Sequence, residues 1–459
     1  MFKEEISRRE FIGRTVGGAA AASLALGAPA LGSAASPNEK VTVGVIGAGI
    51  RGLENMQSLL NAGANVAMVC DLYDGHFRRA QEIQANTPTT RDYRQVLERK
   101  DIDAVLIATS DHWHAPIAIE AMKAGKDVYC EKPMTHTIPE ALEMVKVSKE
   151  TGRVVQVGSQ SLSMQSTQWG KRHLDAGDIG KVFMVQCEIY RPDAVGAWKY
   201  PVPPDATPQT VDWERYLGNA PKRPFDAARF FQFRNWWDYG TGIAGDEYVH
   251  LLSRVHHLMN VQYPLSGVAN GGIYKWTGDR DVPDIHNTFY DYGAFQVVVM
   301  ANLVSNWDGG EIVRFMGDRG TLELTEESAQ VQPYDEIWSF EYPLESWPKD
   351  TRDPFIAAHK NDPTADVGTY RKQPHRRKQS MRQTPEGTED HMRNWFEAIK
   401  TRKQPVENVD FGCGTAVACH MANISYHEQQ RLFWNAQKCE LTGDKGPINM
   451  NWPGGGNAA

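Results

Sequence analysis

Residues 40–62 constrain the chain more tightly than any other stretch. Lys40-Val41-Thr42-Val43-Gly44-Val45-Ile46 is a short β-branched run of the kind found in strands buried on both faces. Gly47-Ala48-Gly49-Ile50-Arg51-Gly52 follows without a gap, and Leu53–Ala62 is compatible with a helix. GxGxxG alone is a weak signal. Between a strand and a helix it is the dinucleotide-binding turn of a doubly wound α/β sheet. Gly47 makes the tight turn, Gly49 lets a pyrophosphate approach the backbone, and Gly52 lets the helix pack on the strand. The helix start then offers free N–H groups and a positive dipole end to the phosphates.

Val66–Cys70 is a second strand, and it ends at Asp71. That carboxylate stands about 20 residues beyond the glycine turn, the distance at which an acid meets the adenosine ribose hydroxyls. It would repel a 2′-phosphate, so NAD is favoured. Arg78 and Arg79 keep NADP open, and an N-cap role is the other reading of Asp71. Alternation continues through the helix Tyr93–Arg99, the strand Ala104–Ala108, the helix Pro116–Ala124, the strand Val128–Cys130, the helix Ile138–Thr151 and the strand Val154–Gly158. Such alternation implies right-handed parallel crossovers.

Asp103–Ala108, His112-Trp113-His114, Ala124-Gly125-Lys126 and Cys130-Glu131-Lys132-Pro133 together resemble the Gfo/Idh/MocA oxidoreductases. Trp236-Trp237-Asp238-Tyr239-Gly240 leading to Asp246-Glu247-Tyr248-Val249-His250 matches a second signature of that family. The likeness runs from about residue 41 to about 440 and is weaker between 335 and 385. It implies an N-terminal Rossmann domain (residues 37–158) and a C-terminal α/β domain (159–459) with an open, mainly antiparallel sheet, often used for oligomer contacts. A homodimer or homotetramer is the expectation. Strand-like runs at Val182–Tyr190, Val268–Tyr274, Asn287–Tyr292, Phe295–Val304, Ile312–Met316 and Thr321–Leu324 agree with such a sheet, since no long helix separates most of them. Asp390–Thr401 and Gly414–Arg431 read as later helices. Asp353–Gly387 is polar, basic and proline-containing and reads as a long loop.

Oxidising a secondary alcohol needs a base for the hydroxyl proton and a place for the hydride, and the dinucleotide supplies the second. Lys132 follows a strand at the carboxyl edge of the sheet, where open α/β sheets bind ligands. Its ammonium would join the substrate hydroxyl to the nicotinamide ribose and stabilise a developing alkoxide. Asp246 and His250 are four apart, so on a helix they share a face. His250, with an ordinary pKa of about 6.5, is the candidate base, and Asp246 would bind substrate or tune the imidazole. The resemblance gives this Lys, Asp and His those roles. It also places Thr109, His114, Glu131 and Lys132 beside the cofactor, with Gly47, Gly49, Ile50, Arg51, Gly52 and Asp71. His112 is expected near the same loop. Arg191, Trp198 and Lys199 follow the first strand of the second domain and are weaker candidates for contact with a sugar. Ser253 stands where family members often carry an aspartate, so local substrate contacts differ. His256 and His257 read as structural, and no metal is expected.

The first 36 residues stand apart from the fold. Ser7-Arg8-Arg9-Glu10-Phe11-Ile12 precedes a Gly/Ala-rich, mildly apolar run to Leu31, with Ala28-Pro29-Ala30 and Ser33-Ala34-Ala35 as candidate cleavage sites. This resembles a twin-arginine signal, which exports folded proteins. A Sec signal or uncleaved anchor is the alternative, although the glycines and proline make a poor membrane span. Export in the folded state would carry NAD out of the cytoplasm as a tightly bound group. The six cysteines lack metal-like spacing and read as mostly buried free thiols.

The 459 residues are too many for one ordinary core, and a net charge of -8 gives no reason to expect nucleic acid or an anionic membrane as partner. The leading expectation is a NAD(P)-dependent oxidoreductase acting on a secondary alcohol of a sugar, sugar derivative or cyclitol. The alternative is a glycosidase that uses NAD for transient oxidation. A binding protein on a retained fold is a third reading, opposed by the presence of Lys132, Asp246 and His250.

Overall fold

The computed structural model describes residues 40–305, 310–334, 344–359, 378–382 and 387–453. The segment read as a leader lies outside them. From residue 40 the chain alternates strand and helix: β1 (Thr42–Ile46), α1 (Ile50–Asn61), β2 (Asn65–Cys70), α2 (Asp74–Ile83), β3 (Thr89–Thr90), α3 (Tyr93–Glu98), β4 (Ala104–Ile107), α4 (His114–Lys123), β5 (Asp127–Glu131), α5 (Ile138–Thr151) and β6 (Val155–Gly158). The six strands pair in parallel in the order β3-β2-β1-β4-β5-β6. Strands β4, β5 and β6 are buried along their whole length. Their continuous burial follows from helices covering both faces. Local signals set helix ends. α5 starts with a capping box between Thr137 and Glu140 and stops at Gly152, which adopts a left-handed φ of 65°. Strand order reverses between β1 and β4, and the crevice outside the carboxyl ends at such a switch is where ligands bind.

The second sheet has ten strands: β7 (Val182–Tyr190), β8 (Ser266–Gly272), β9 (Ile285–Asp291), β10 (Gln296–Asn302), β11 (Gly310–Gly317), β12 (Gly320–Leu324), β13 (Ser328–Pro333), β14 (Gln379–Arg382), β15 (Leu432–Asn435) and β16 (Glu440–Gly443). The order is β14-β13-β12-β11-β7-β10-β9-β8-β15-β16. β7 and β10 pair in parallel, and the other pairs are antiparallel. Burial alternates residue by residue along β9, β10 and β12, the pattern of a sheet with one face covered. Helices α6 (Gln165–Asp175) and α7 (Val249–Met259) pack on the covered face. The other face exposes Phe183, Val268, Phe289 and Phe433.

Two short helical turns, Trp213–Leu217 and Ala227–Phe231, lie between β7 and β8 in sequence, and three longer helices follow the second sheet's central strands: α8 (Lys349–His359), α9 (Thr388–Thr401) and α10 (Val409–Glu428). α9 returns to the first domain, where Met392, Trp395 and Phe396 join the core around α1. α10 is buried on nearly all sides, as a helix apolar around its circumference must be. Cys413, Val417 and Met421 pack into the first core, and Ala418, Cys419 and Ala422 into the second.

The expected strands of the second sheet form within a few residues of their sequence limits. Two features differ from the sequence reading. Residues 353–359 of the expected long loop belong to α8, and residues 379–382 form β14; 360–377 and 383–386 lie outside the described residues. α2, α6, β13, β15 and β16 carried no expectation, because their apolar pattern is short and becomes decisive only against a neighbour. All six cysteines are free, five of them buried. No helix among the described residues is long and apolar enough to cross a membrane.

Candidate active site

A cleft of about 860 Å³ opens at the carboxyl ends of the parallel strands and is roofed by the second domain. Its volume is in the range of small-molecule and cofactor sites. Gly47, Gly49, Ile50, Arg51, Asp71, Thr109, His114, Glu131, Lys132, Arg191, Asp246 and His250 all line it. The glycine turn is shaped as its spacing predicts. Gly47 has a φ of 91°, and a Cβ there would lie 2.4 Å from the carbonyl oxygen of Ala108. A Cβ on Gly52 would lie 2.0 Å from the carbonyl of Gly47, so helix and turn touch backbone to backbone. At Gly49 the nearest atom to such a Cβ is 3.9 Å away, which leaves room for a phosphate. Ile50 is 65% exposed at the start of α1, an apolar surface that a dinucleotide would cover. These residues fit NAD.

Asp71 is more tied down than its sequence position suggests. Its Oδ2 accepts from Ala48 N (2.6 Å), and its Oδ1 accepts from Leu72 N (2.7 Å) and Tyr73 N (2.9 Å), with His76 Nδ1 at 2.9 Å. Burial works to raise its pKa, but His76 and the N–H donors outweigh burial and hold the carboxyl below its usual value. Oδ1 is saturated, whereas Oδ2 takes one donor and keeps a lone pair for a ribose hydroxyl. The arginines that kept NADP open turn elsewhere: Arg78 pairs with Asp205 at 2.7 Å and Arg79 with Glu82 at 2.7 Å.

The segment 200–233 crosses this end of the cleft, and nothing in its composition foretold it. Asp212 N donates to Leu72 O (2.8 Å), Asp74 N to Thr210 O (3.0 Å) and Trp113 Nε1 to Tyr216 O (2.8 Å). The Tyr73 hydroxyl donates to Asp205. Tyr200, Tyr216, Phe230, Phe231 and Phe233 face the cleft from this strap. His112 is bonded to its underside, Nε2 donating to Tyr216 O at 2.9 Å, and does not line the cleft. His114 sets Nδ1 2.7 Å from Pro133 O and Nε2 3.1 Å from Thr109 O. It therefore clasps the ends of two strands beside the cofactor cleft. Glu131 accepts at Oε1 from Asn55 Nδ2 and Gln160 Nε2, both 2.8 Å, and at Oε2 from Lys132 N (3.2 Å). It anchors the loop that presents Lys132.

Lys132 Nζ lies 2.9 Å from Asp246 Oδ1 and 2.8 Å from Asp246 O. Residues 114 apart in sequence thus meet as one pair. Arg234, which the sequence reading missed, donates through Nε to the same Oδ1 at 2.8 Å. Burial opposes ionisation of Asp246, yet Arg234 and Lys132 hold its carboxyl well below the usual range. Two cations on one carboxylate leave a net positive charge where an alkoxide would form. Nearby Asp111 accepts from Thr241 N and Oγ1, and burial raises its pKa to about 6 despite Arg234.

Asp246 sits in a π-helical turn, Ala244–Tyr248, that runs into α7. The widened turn still brings Asp246 and His250 to the cleft, and such turns recur at functional sites. Burial, then the Lys132 charge, push the His250 pKa well below its usual 6.5, so the ring is neutral at neutral pH and able to accept a proton. Arg191 Nη1 pairs with Glu247 Oε1 at 2.8 Å. Two weaker candidates are corrected. Trp198 is 1% exposed in the second core, and Lys199 pairs with Asp279; neither lines the cleft. The backbone at Trp198 turns the ring inward with a φ of 62°, which no sequence pattern announces. His256 Nε2 lies 2.7 Å from the Tyr292 hydroxyl, and His257 Nε2 lies 3.5 Å from Gln168 Nε2.

Residues 41–159 match the GFO_IDH_MocA model, described as oxidoreductase family, NAD-binding Rossmann fold; residues 183–266 match that family's C-terminal alpha/beta domain. An inositol 2-dehydrogenase of Salmonella paratyphi B is 30% identical over 162 residues, 34% of this chain and 48% of that protein. A glycosyl hydrolase family 109 protein of Shewanella sp. strain ANA-3 is 31% identical over 195 residues, 37% of this chain and 41% of that protein. The chain thus spans about half the length of the curated relatives it matches. A levoglucosan dehydrogenase solved with NADH and levoglucosan has the same fold, with a TM-score of 0.63, 17% identity and coverage of 86% of this chain and 99% of that one.

Proposed function

From a chain whose two domains both match the Gfo/Idh/MocA oxidoreductase family, we propose a NAD-dependent enzyme that oxidises or reduces a secondary alcohol of a sugar, sugar derivative or cyclitol. The observation that carries this reading is the meeting of Lys132, Asp246 and a neutral His250 at the carboxyl edge of the NAD-binding sheet. In the oxidative direction His250 accepts the hydroxyl proton. The Lys132 ammonium, held by Asp246, donates to the substrate oxygen as negative charge grows there. Arg234 takes up part of the Asp246 charge, so the ammonium is not neutralised by its own partner. NAD, when bound, supplies the hydride acceptor. Incubating the protein with NAD and a panel of sugars and cyclitols, and following absorbance of the reduced nicotinamide, tests this. Lack of hydride transfer to every member would sink it.

The family 109 relative supports a second reading, a glycosidase working by transient oxidation. Release of a free sugar with no net reduced NAD would decide for it.

We infer that NAD is retained between turnovers. The strap over the adenosine end supports this, and the mass and absorbance of the protein as purified test it. The paired arginines Arg8 and Arg9 support export by the twin-arginine route to the periplasm or beyond. Retention of an Arg8→Lys, Arg9→Lys double variant in the cytoplasm is the expected result. A homodimer or homotetramer is inferred from the apolar outer face of the ten-stranded sheet, and light scattering after size exclusion measures it.

A further inference from the structure

Beyond the cluster in which Lys132 and Arg234 share Asp246, two carboxylates at the substrate end of the cleft, Glu247 and Glu311, are each matched by an arginine. Arg191, at the end of β7, holds Glu247 Oε1 at 2.8 Å, and the Glu247 side chain is 6% exposed. Arg254, on α7 and 1% exposed, sets Nη2 3.5 Å from Oε2 of Glu311 on β11. Lys132 and Arg234 share Asp246. Glu247, Glu311 and Arg191 border the same end of the cleft as Lys132 and His250, and Glu326 joins them. Glu311 lies within the fields of Glu247 and Lys132. Burial, opposed by Arg254 and aided by Glu326, raises its pKa to about 7.

A ligand carboxylate or phosphate entering here must give up its water. Arg191 and Arg254 already hold carboxylates, and Glu247, Glu311 and Glu326 would repel it, while the surplus positive charge of Lys132 and Arg234 is directed at the reacting oxygen. A hydroxyl meets the opposite situation. A carboxylate has about four lone-pair sites; Glu247 spends one on Arg191, and Oε2 of Glu311 accepts no hydrogen bond from Arg254. The remainder accept from hydroxyl donors.

We propose that the substrate is an uncharged, polyhydroxylated ring whose non-reacting hydroxyls are gripped by Glu247 and Glu311, and that sugar acids and sugar phosphates are excluded. This rests on the alcohol-oxidising reading of the cleft. It also changes the part played by Arg191, from a direct sugar contact to the group that sets the charge of Glu247.

The test is kcat/KM, with NAD present, for a neutral sugar or cyclitol, its uronate, its phosphate ester and its amino counterpart. The neutral compound is expected to lead both anions by about 10²-fold, since an unmatched like charge costs several kcal/mol. A uronate, phosphate or amino sugar turned over as well as the neutral parent overturns the inference and leaves the oxidoreductase reading standing. No hydride transfer to any compound overturns both. Glu247→Gln removes the negative partner of Arg191 and is expected to move the uronate-to-neutral ratio about tenfold toward the uronate. Arg191→Gln, the second variant, is expected to move it the other way. Thermal melting and NAD binding establish that each variant is folded, and a ratio unmoved in both folded variants overturns the proposal.

Discussion

The floor and the roof of the cleft are built on different rules. The floor is the carboxyl edge of a parallel sheet, and its parts are local in sequence: Gly47 and Gly52 meet across a single turn. The roof is drawn from β7, the strap, a π-helical turn and β11, and its groups are charged side chains matched by distant partners. Backbone shape does the work in the floor, where a Cβ is the intruder. Charge pairing does it in the roof, where an unpaired ion is the intruder. The contrast explains why a dinucleotide site can be recognised from a motif while a substrate site on the same fold varies freely.

Substitutions test the contrast from the strongest effect downward. Lys132→Ala and His250→Ala are each expected to lower turnover by about 10² or more, as loss of a proton-transfer partner does. Titration calorimetry should find NAD affinity unchanged in both. If affinity falls with turnover, Lys132 belongs to the floor rather than to the junction. Arg234→Ala removes one charged hydrogen bond from Asp246, worth about 1.5–3 kcal/mol, so kcat is expected to fall roughly 10- to 10²-fold. Arg234→Lys should restore part of it, and steady-state kinetics on both variants would show whether charge or shape matters.

The acid limb of kcat/KM provides a third test. The folded His250 pKa lies well below 6.5, so the ring stays able to accept a proton as pH falls through that value. The limb should lie below pH 6.5. The same shift predicts stability that declines as pH falls below 6.5, because the unfolded chain then binds a proton the folded chain refuses. A limb at or above 6.5 in a pH–rate profile would remove His250 as the base. The smallest effect is expected at the strap. Tyr73→Phe deletes one hydrogen bond to Asp205, worth about 1 kcal/mol, and should speed NAD release roughly fivefold by stopped-flow fluorescence.

The Rossmann strands and most of their helices were legible because each announces itself within a dozen residues. The strands of the second sheet could be seen but not ordered, since the parallel pairing of β7 with β10 leaves no local trace. Lys132, Asp246 and His250 were found through their motifs. Arg234 stands just before one of those motifs and Glu247 inside the other, at residues whose type alone says nothing. Trp198 and Lys199 misled because a tryptophan and a lysine after a strand read as ligand contacts, while the backbone turns one into the core and an aspartate claims the other.

The amino-acid sequence by itself determined the NAD-binding turn, the alternating sheet beneath it and the three residues of the proposed chemistry. Steric demands on glycine and the burial of apolar runs act over short stretches, and they leave their mark in order along the chain. Only the tertiary structure decided which charges face the substrate and which are already matched. That depends on pairs such as Arg191 with Glu247 and Arg254 with Glu311, whose attraction acts through space and is indifferent to their separation in sequence.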